Sequence, residues 1–145
     1  MTDADVQQEN VDFIKSLLGS GALSSFKTGN APRYDALRSL ISDEYIGNVG
    51  SGIPYGREYR GWQGYQDLGA EIRKFWSELR MVSPQFIPYG NDKVLIHFTL
   101  QGRIAKNGQH VEMPMVSIWG IKEGKACSFR VFYFDTKRIA DLAAM

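Results

Sequence analysis

Apolar residues recur through residues 4–18 at Val6, Val11, Ile14, Leu17 and Leu18, a helical stripe that the Gly19-Ser20-Gly21 run ends. Residues 22–32 carry no clear period and read as mostly loop. Pro32 suits the first turn of a second helix, with Asn30 close to its cap, and Tyr34, Leu37, Leu40 and Ile41 share a face beyond it. Residues 43–61 hold five glycines and a proline, which predicts a short strand at most and then a long loop. A third helix is predicted between Trp62 and Arg80. There Tyr65, Leu68, Ile72, Phe75, Trp76 and Leu79 follow at spacings of three and four, with Gln66, Glu71, Arg73, Lys74 and Glu78 on the other face.

After Pro84 the period changes to two. Strands are predicted at 85–89, 93–105, 109–121 and 126–135, joined by Gly90-Asn91-Asp92, Lys106-Asn107-Gly108 and Lys122-Glu123-Gly124. Consecutive hairpins make an antiparallel meander. A last helix is expected over 136–144, after Asp135. Helices first and a curved sheet after them predict one α+β domain over residues 1–145. The sheet would wrap around the long helix as a cone, and the hollow left inside would suit a small ligand.

Composition narrows the function. The formal net charge is +1 with no basic block, which gives nucleic-acid binding little electrostatic support. No apolar run approaches the ~20 residues that span a bilayer. The first ten residues are acidic and polar, unlike a signal peptide, and Cys127 is the single cysteine, so a cytoplasmic location is the default expectation. Two histidines and one cysteine make no standard zinc spacing, and no glycine-rich cofactor loop or nucleophile elbow is present. The reading is therefore cofactor-independent. Eight Phe, seven Tyr and three Trp would suit either an aromatic-lined cavity or a plain core.

Three segments resemble the SnoaL-like polyketide cyclase and ketosteroid isomerase group of the nuclear transport factor two-like superfamily. They are SLISDEYIGNVG at 39–50, IPYGREYRGWQGY at 53–65 and IKEGKACSFRVFYFDT at 121–136. The likeness spans about residues 10–142 and implies the cone fold, but it leaves the reaction open, because this fold hosts many chemistries. The isomerases' general-base aspartate matches Asn48, and their second, protonated aspartate matches Ser117. The catalytic aspartate of limonene epoxide hydrolases matches Phe132, and that family's arginine and earlier aspartate fall near Phe98 and Leu100. Neither carboxylate set is present. The loop at 19–31 is longer than the family's usual link.

The resemblance turns Phe132 and Phe134 toward the cavity, and Arg130 shares their side of the strand. Arg130 would then meet an anionic or phenolate oxygen, or else pack its stem at a surface. Asp135 is either a pocket residue or a helix N-cap. His97 alternates with Ile96 and Phe98 and shares a side with Thr99, Gln101 and Arg103, a side that faces solvent, a partner or the cavity. By elimination His97 is the acid/base candidate, since imidazole titrates near neutrality. Tyr55 borders the cavity by resemblance and would donate to a carbonyl or oxyanion, as would Tyr34 and Tyr45. Asn48 would add a hydrogen bond, and Phe75, Trp76, Met113, Met115 and Trp119 would form walls.

Two functions follow as expectations. One is an enzyme moving a proton on an aromatic or polycyclic small molecule, of isomerase, aldol or retro-aldol, cyclase or dehydratase type. The other is a ligand-binding or dimerising module without chemistry. In either case the resemblance implies a homodimer formed through the exposed face of the open sheet.

Overall fold

The computed structural model describes residues 1–19, 25–27 and 34–145, and of residues 25–27, 34 and 35 it describes the backbone only. Helix α1 spans Asp3–Gly19. Its start is a reciprocal cap, in which the Asp5 amide donates to Thr2 Oγ1 and the Thr2 amide donates to Asp5 Oδ2, both at 3.1 Å. Its apolar stripe, Val11, Ile14, Leu17 and Leu18, is buried. Asn10 Nδ2 donates to the Asn91 carbonyl at 2.8 Å, which ties α1 to a hairpin turn of the sheet.

A three-residue strand, β1 (Ser25–Lys27), lies within the stretch expected to be loop. The second helix ends earlier than expected, its cap and first turn at Asn30 and Pro32 lying outside the described residues: α2 covers Tyr34–Leu37, a 3-10 turn covers Arg38–Leu40, and Ile41 begins a strand. That strand, β2, runs nine residues, Ile41–Val49, and is followed by β3 (Glu58–Arg60). The long helix α3 spans Gly61–Phe75 and buries Tyr65, Leu68 and Ile72.

At Trp76 the chain becomes strand β4 (Trp76–Tyr89), not a continuing helix. The pairing with β5 (Lys93–Ile104) shifts between Trp76 and Glu78. This bulge lets Trp76 and Leu79, three residues apart, both turn inward, so the strand imitates helical spacing there. Strands β6 (His110–Lys122) and β7 (Lys125–Tyr133) complete the meander, and helix α4 covers Thr136–Ala143. Gly90, Gly108 and Gly124, all at positive φ, sit in the three hairpin turns.

The sheet order is β1-β4-β5-β6-β7-β2-β3, seven strands in one curved, unclosed sheet. The four long strands pair antiparallel, as expected, whereas β2 joins β7 in parallel, with Asn48 opposite Arg130 and Val49 opposite Val131. The apolar core lies between the inner face of the sheet and helices α1 and α3. Among the described residues no helix is long and apolar enough to cross a membrane.

Candidate functional site

Tyr55 sits in the loop between β2 and β3. The loop is closed by hydrogen bonds from the Ile53 amide to Gly50 O (3.1 Å) and from the Gly56 amide to Ile53 O (2.7 Å). A Cβ at Gly56 would lie 1.9 Å from Gly50 O, so a glycine is required for this turn to close. Tyr59 Oη donates to the Tyr55 carbonyl at 2.6 Å and fixes the loop from below. The Tyr55 ring packs edge-on against Phe75 at 5.4 Å.

The loop aims the Tyr55 side chain at the core. Its hydroxyl lies 2.5 Å from that of Tyr133, and Trp76 Nε1 donates to it at 3.0 Å. Tyr133 comes from β7 and Trp76 from the α3–β4 junction, so three separate elements meet at one oxygen. Burial pushes the Tyr55 phenol up to about 12, with part of the rise offset by the bonds from Tyr133 and Trp76. Burial also pushes Tyr133 well above the usual phenol range, and the neighbouring Tyr55 adds to it. Both phenols are neutral at physiological pH, acting as donors rather than bases.

Both tyrosines line a cavity of about 50 Å³. Leu18 of α1, Ile72 of α3 and Leu79 and Met81 of β4 line one side. Phe98 and Leu100 of β5, Met115, Ser117 and Trp119 of β6, and Phe129 and Val131 of β7 line the rest. Ser117 is only 3% exposed and, among the described residues, is the one buried polar side chain apart from the aromatic ones. The exposed Arg80 also reaches the cavity. The hollow is smaller than the ~150 Å³ that admits a benzene ring. A polycyclic occupant therefore does not fit it as it stands.

A second, larger pocket of about 270 Å³ lies on the other side of Tyr55, lined by Pro54, Phe75, Ile104 and Ala143 with Glu71, Lys74 and Lys106. Among the described residues no group of three His, Cys, Asp or Glu side chains is placed to hold a metal ion.

Of the residues expected at the site, Tyr55, Met115, Ser117 and Trp119 line the cavity. His97 does not. Ile96, Phe98 and Leu100 take the inner positions, and the imidazole is exposed on the outer face, in a row with Gln85, Val116 and Phe132. The acid/base role assigned to His97 therefore fails on geometry.

Asn48 also faces outward, because its neighbour Val49 is the inward residue of β2. Phe132 (50% exposed) and Phe134 (77% exposed) are surface residues, and Arg130 lies on the outer face beside Asn48. Asp135 is exposed and caps α4, its Oδ1 accepting the Arg138 amide at 3.0 Å. Phe75 is half-buried and lines the second pocket. Tyr45 is buried away from the cavity, edge-on to Tyr65 at 5.6 Å, and its hydroxyl has no hydrogen-bond partner among the described residues. The Tyr34 side chain lies outside the described residues.

The faces of β7 depart from those that the resemblance implies, and a register shift accounts for them. Counting back from the Lys122–Lys125 pair with regular register would put Arg130 and Phe132 beside Ser117 and Met115. The register instead shifts at Gly120/Ile121, so Ser117 faces Val131 and Met115 faces Tyr133. The bulge moves the side chains of β7 beyond it to the opposite face, which brings Tyr133 inward.

Comparison with known proteins agrees with this architecture. An NTF2-like protein from Burkholderia xenovorans LB400 superposes with a TM-score of 0.77 at 18% identity, covering 95% of this chain and 97% of the other. A SnoaL-like polyketide cyclase candidate from Jannaschia sp. CCS1 gives 0.76 at 17% identity, covering 95% and 94%. TerC, co-crystallised with polyporic acid, gives 0.72 at 17% identity, covering 94% and 98%. No match is found among curated proteins. The family model for the SnoaL-like domain matches residues 24–129, most of the chain, and the chain accordingly belongs to the SnoaL-like domain family.

Proposed function

We propose that this domain binds a small, mostly apolar molecule in the inner cavity and holds it by a carbonyl or phenolic oxygen. The observation that carries this is a count of donors. Trp76 Nε1–H, Tyr55 Oη–H and Tyr133 Oη–H supply three protons. Trp76 gives its proton to Tyr55, and one phenol gives its proton to the other. One phenolic proton is left over. We assign it to the cavity that both tyrosines line, whose other walls are apolar apart from Ser117 and Arg80, where an oxygen acceptor gains most from a hydrogen bond. Two relatives are crystallised with small molecules, TerC with polyporic acid and a ketosteroid isomerase-like-fold protein from Catenulispora acidiphila with trimethylamine, which is consistent with a small occupant. A ring-sized ligand needs the flexible Met81 and Met115 side chains to swing aside.

The test compares cyclohexanone with methylenecyclohexane, the same shape without the oxygen. The wild type should prefer the ketone. Either single Tyr→Phe change leaves one phenolic proton, whereas Tyr55→Phe/Tyr133→Phe removes both; the Trp76 indole proton that it frees belongs to a residue outside the cavity lining, so the double variant should lose the preference. Retained binding of the hydrocarbon shows that the double variant is folded. A ketone preference undiminished in the double variant contradicts the proposal.

A second reading is an enzyme in which the same donor polarises a carbonyl and stabilises its enolate. It keeps the cofactor-independent isomerase or lyase chemistry expected from the resemblance. No carboxylate or imidazole is among the described residues lining the cavity, which favours binding without proton abstraction. Exchange of the ketone's α-protons in deuterated water separates the two: binding alone leaves exchange at the buffer rate, and catalysis raises it.

The outer face supports a homodimer. Ile87, Phe132 and Phe134 are large, apolar and exposed, and the row Gln85–His97–Val116–Phe132 crosses the middle of the sheet. His97 then belongs to the contact between copies. Light scattering should give twice the chain mass for the wild type and the chain mass for Phe132→Glu. A monomeric wild type removes this assignment.

A further inference from the structure

The end of the outer face nearest the β4–β5 turn carries a groove of about 260 Å³ that the inner site does not use. Two rows of cross-strand partners build it. One runs Tyr89, Lys93, Gly120, Ser128, and the next runs Ile118, Arg130, Asn48. A Cβ at Gly120 would lie 2.1 Å from Ser128 Oγ, so a glycine at this strand position leaves the space in which the serine hydroxyl sits. The groove lining holds two cations, Lys93 and Arg130, three neutral hydrogen-bonding side chains, Asn48, Ser128 and Tyr89, and no carboxylate. Lys93 Nζ is paired with Asp92 at 3.3 Å. Arg130 forms no ion pair among the described residues. The groove thus has one uncompensated cation, and Ile118 and Tyr89 supply apolar walls beside it.

We infer that this groove is a second ligand site, distinct from the tyrosine cavity, that takes a small aromatic carboxylate. The planar guanidinium of Arg130 matches a carboxylate by two parallel N–H···O bonds. The Asn48 amide and the Ser128 hydroxyl are placed beside it to donate to the same oxygens, and the ring lies against Ile118 and Tyr89. A single free cation suits a monoanion better than a phosphate dianion. The apolar walls distinguish the ligand from a bare inorganic ion.

Calorimetric titration of the full chain with benzoate, and with benzamide as the uncharged counterpart, tests the site. Saturable benzoate binding that weakens with salt is expected, with no binding of benzamide. Arg130→Gln should weaken benzoate by at least about tenfold, while Tyr55→Phe/Tyr133→Phe should leave it unchanged. Arg130 is exposed, so the variant should keep the wild-type melting temperature. The inference is overturned if the wild type shows no saturable binding or if Arg130→Gln binds as well as the wild type. It is equally overturned if the tyrosine double variant is the one that loses benzoate, which would place the ligand in the inner cavity. A wild type that ignores benzoate, together with an Arg130→Gln variant that changes oligomeric state, would assign the groove to contact between copies instead.

Discussion

The hydroxyl oxygens of Tyr55 and Tyr133 stand 2.5 Å apart, one carried by a loop and the other by the last strand, 78 residues later. The two ends of this bond are not equivalent. Tyr55 also accepts the Trp76 indole proton, so removing its oxygen orphans a donor on a side chain with no exposure. Tyr55→Phe should cost about 1–3 kcal/mol, the range for an unsatisfied buried group. Tyr133→Phe leaves the Trp76–Tyr55 bond in place and should cost about 0.5–1.5 kcal/mol. Urea unfolding of both variants checks the order, and a Tyr133 variant less stable than the Tyr55 variant would contradict the arrangement.

The buried phenols also set a pH dependence. Tyr55 is raised from 10.0 in the unfolded chain to about 12 in the folded one, and Tyr45 and Tyr133 move in the same direction through burial. Below the unfolded value both states hold the proton, and these groups leave stability flat. As pH rises from about 10 toward 12, the unfolded chain ionises first and stability is lost, on the order of 3 kcal/mol for Tyr55 at the upper end. Unfolding free energy should therefore be lower at about pH 11 than at about pH 8, and Tyr55→Phe should shrink the difference. An equal drop in that variant would mean that other groups cause it.

Asp135 separates a cap from a catalyst. Its carboxylate accepts the Arg138 amide at 3.0 Å and lies outside the lining of the cavity. Asp135→Ala should lower stability by about 1 kcal/mol and leave ligand affinity unchanged. Thermal unfolding and a ketone titration measure the two effects. Lost affinity at unchanged stability would return Asp135 to the site.

What the sequence made legible was local. The stripe of α1, the start of α3 and the hairpin glycines each depend on residues a few positions apart and are found as read, and of the two readings of Asp135 the local one, the cap, is the one seen. The Pro-Tyr-Gly loop also placed Tyr55 at the cavity. The misreadings come from two bulges and one long-range pairing. The bulge at Trp76 gave a strand the spacing of a helix, and the bulge at Gly120 exchanged the faces of β7. The parallel pairing of β2 with β7 sends Asn48 outward with Arg130, and it has no short-range signal at all. The expectation for His97 rests on its side-chain type, and side-chain type carries no information about which face of a strand a residue takes.

The carbonyl stretching frequency of cyclohexanone bound to the protein reports a hydrogen bond to the ligand oxygen itself, and so reads the tyrosine donor without intermediaries. It should shift to lower frequency in the wild type and return to the apolar-solvent value in Tyr55→Phe/Tyr133→Phe. A bound ketone with an unshifted carbonyl in the wild type, or the same shift in the double variant, would contradict the role of that donor.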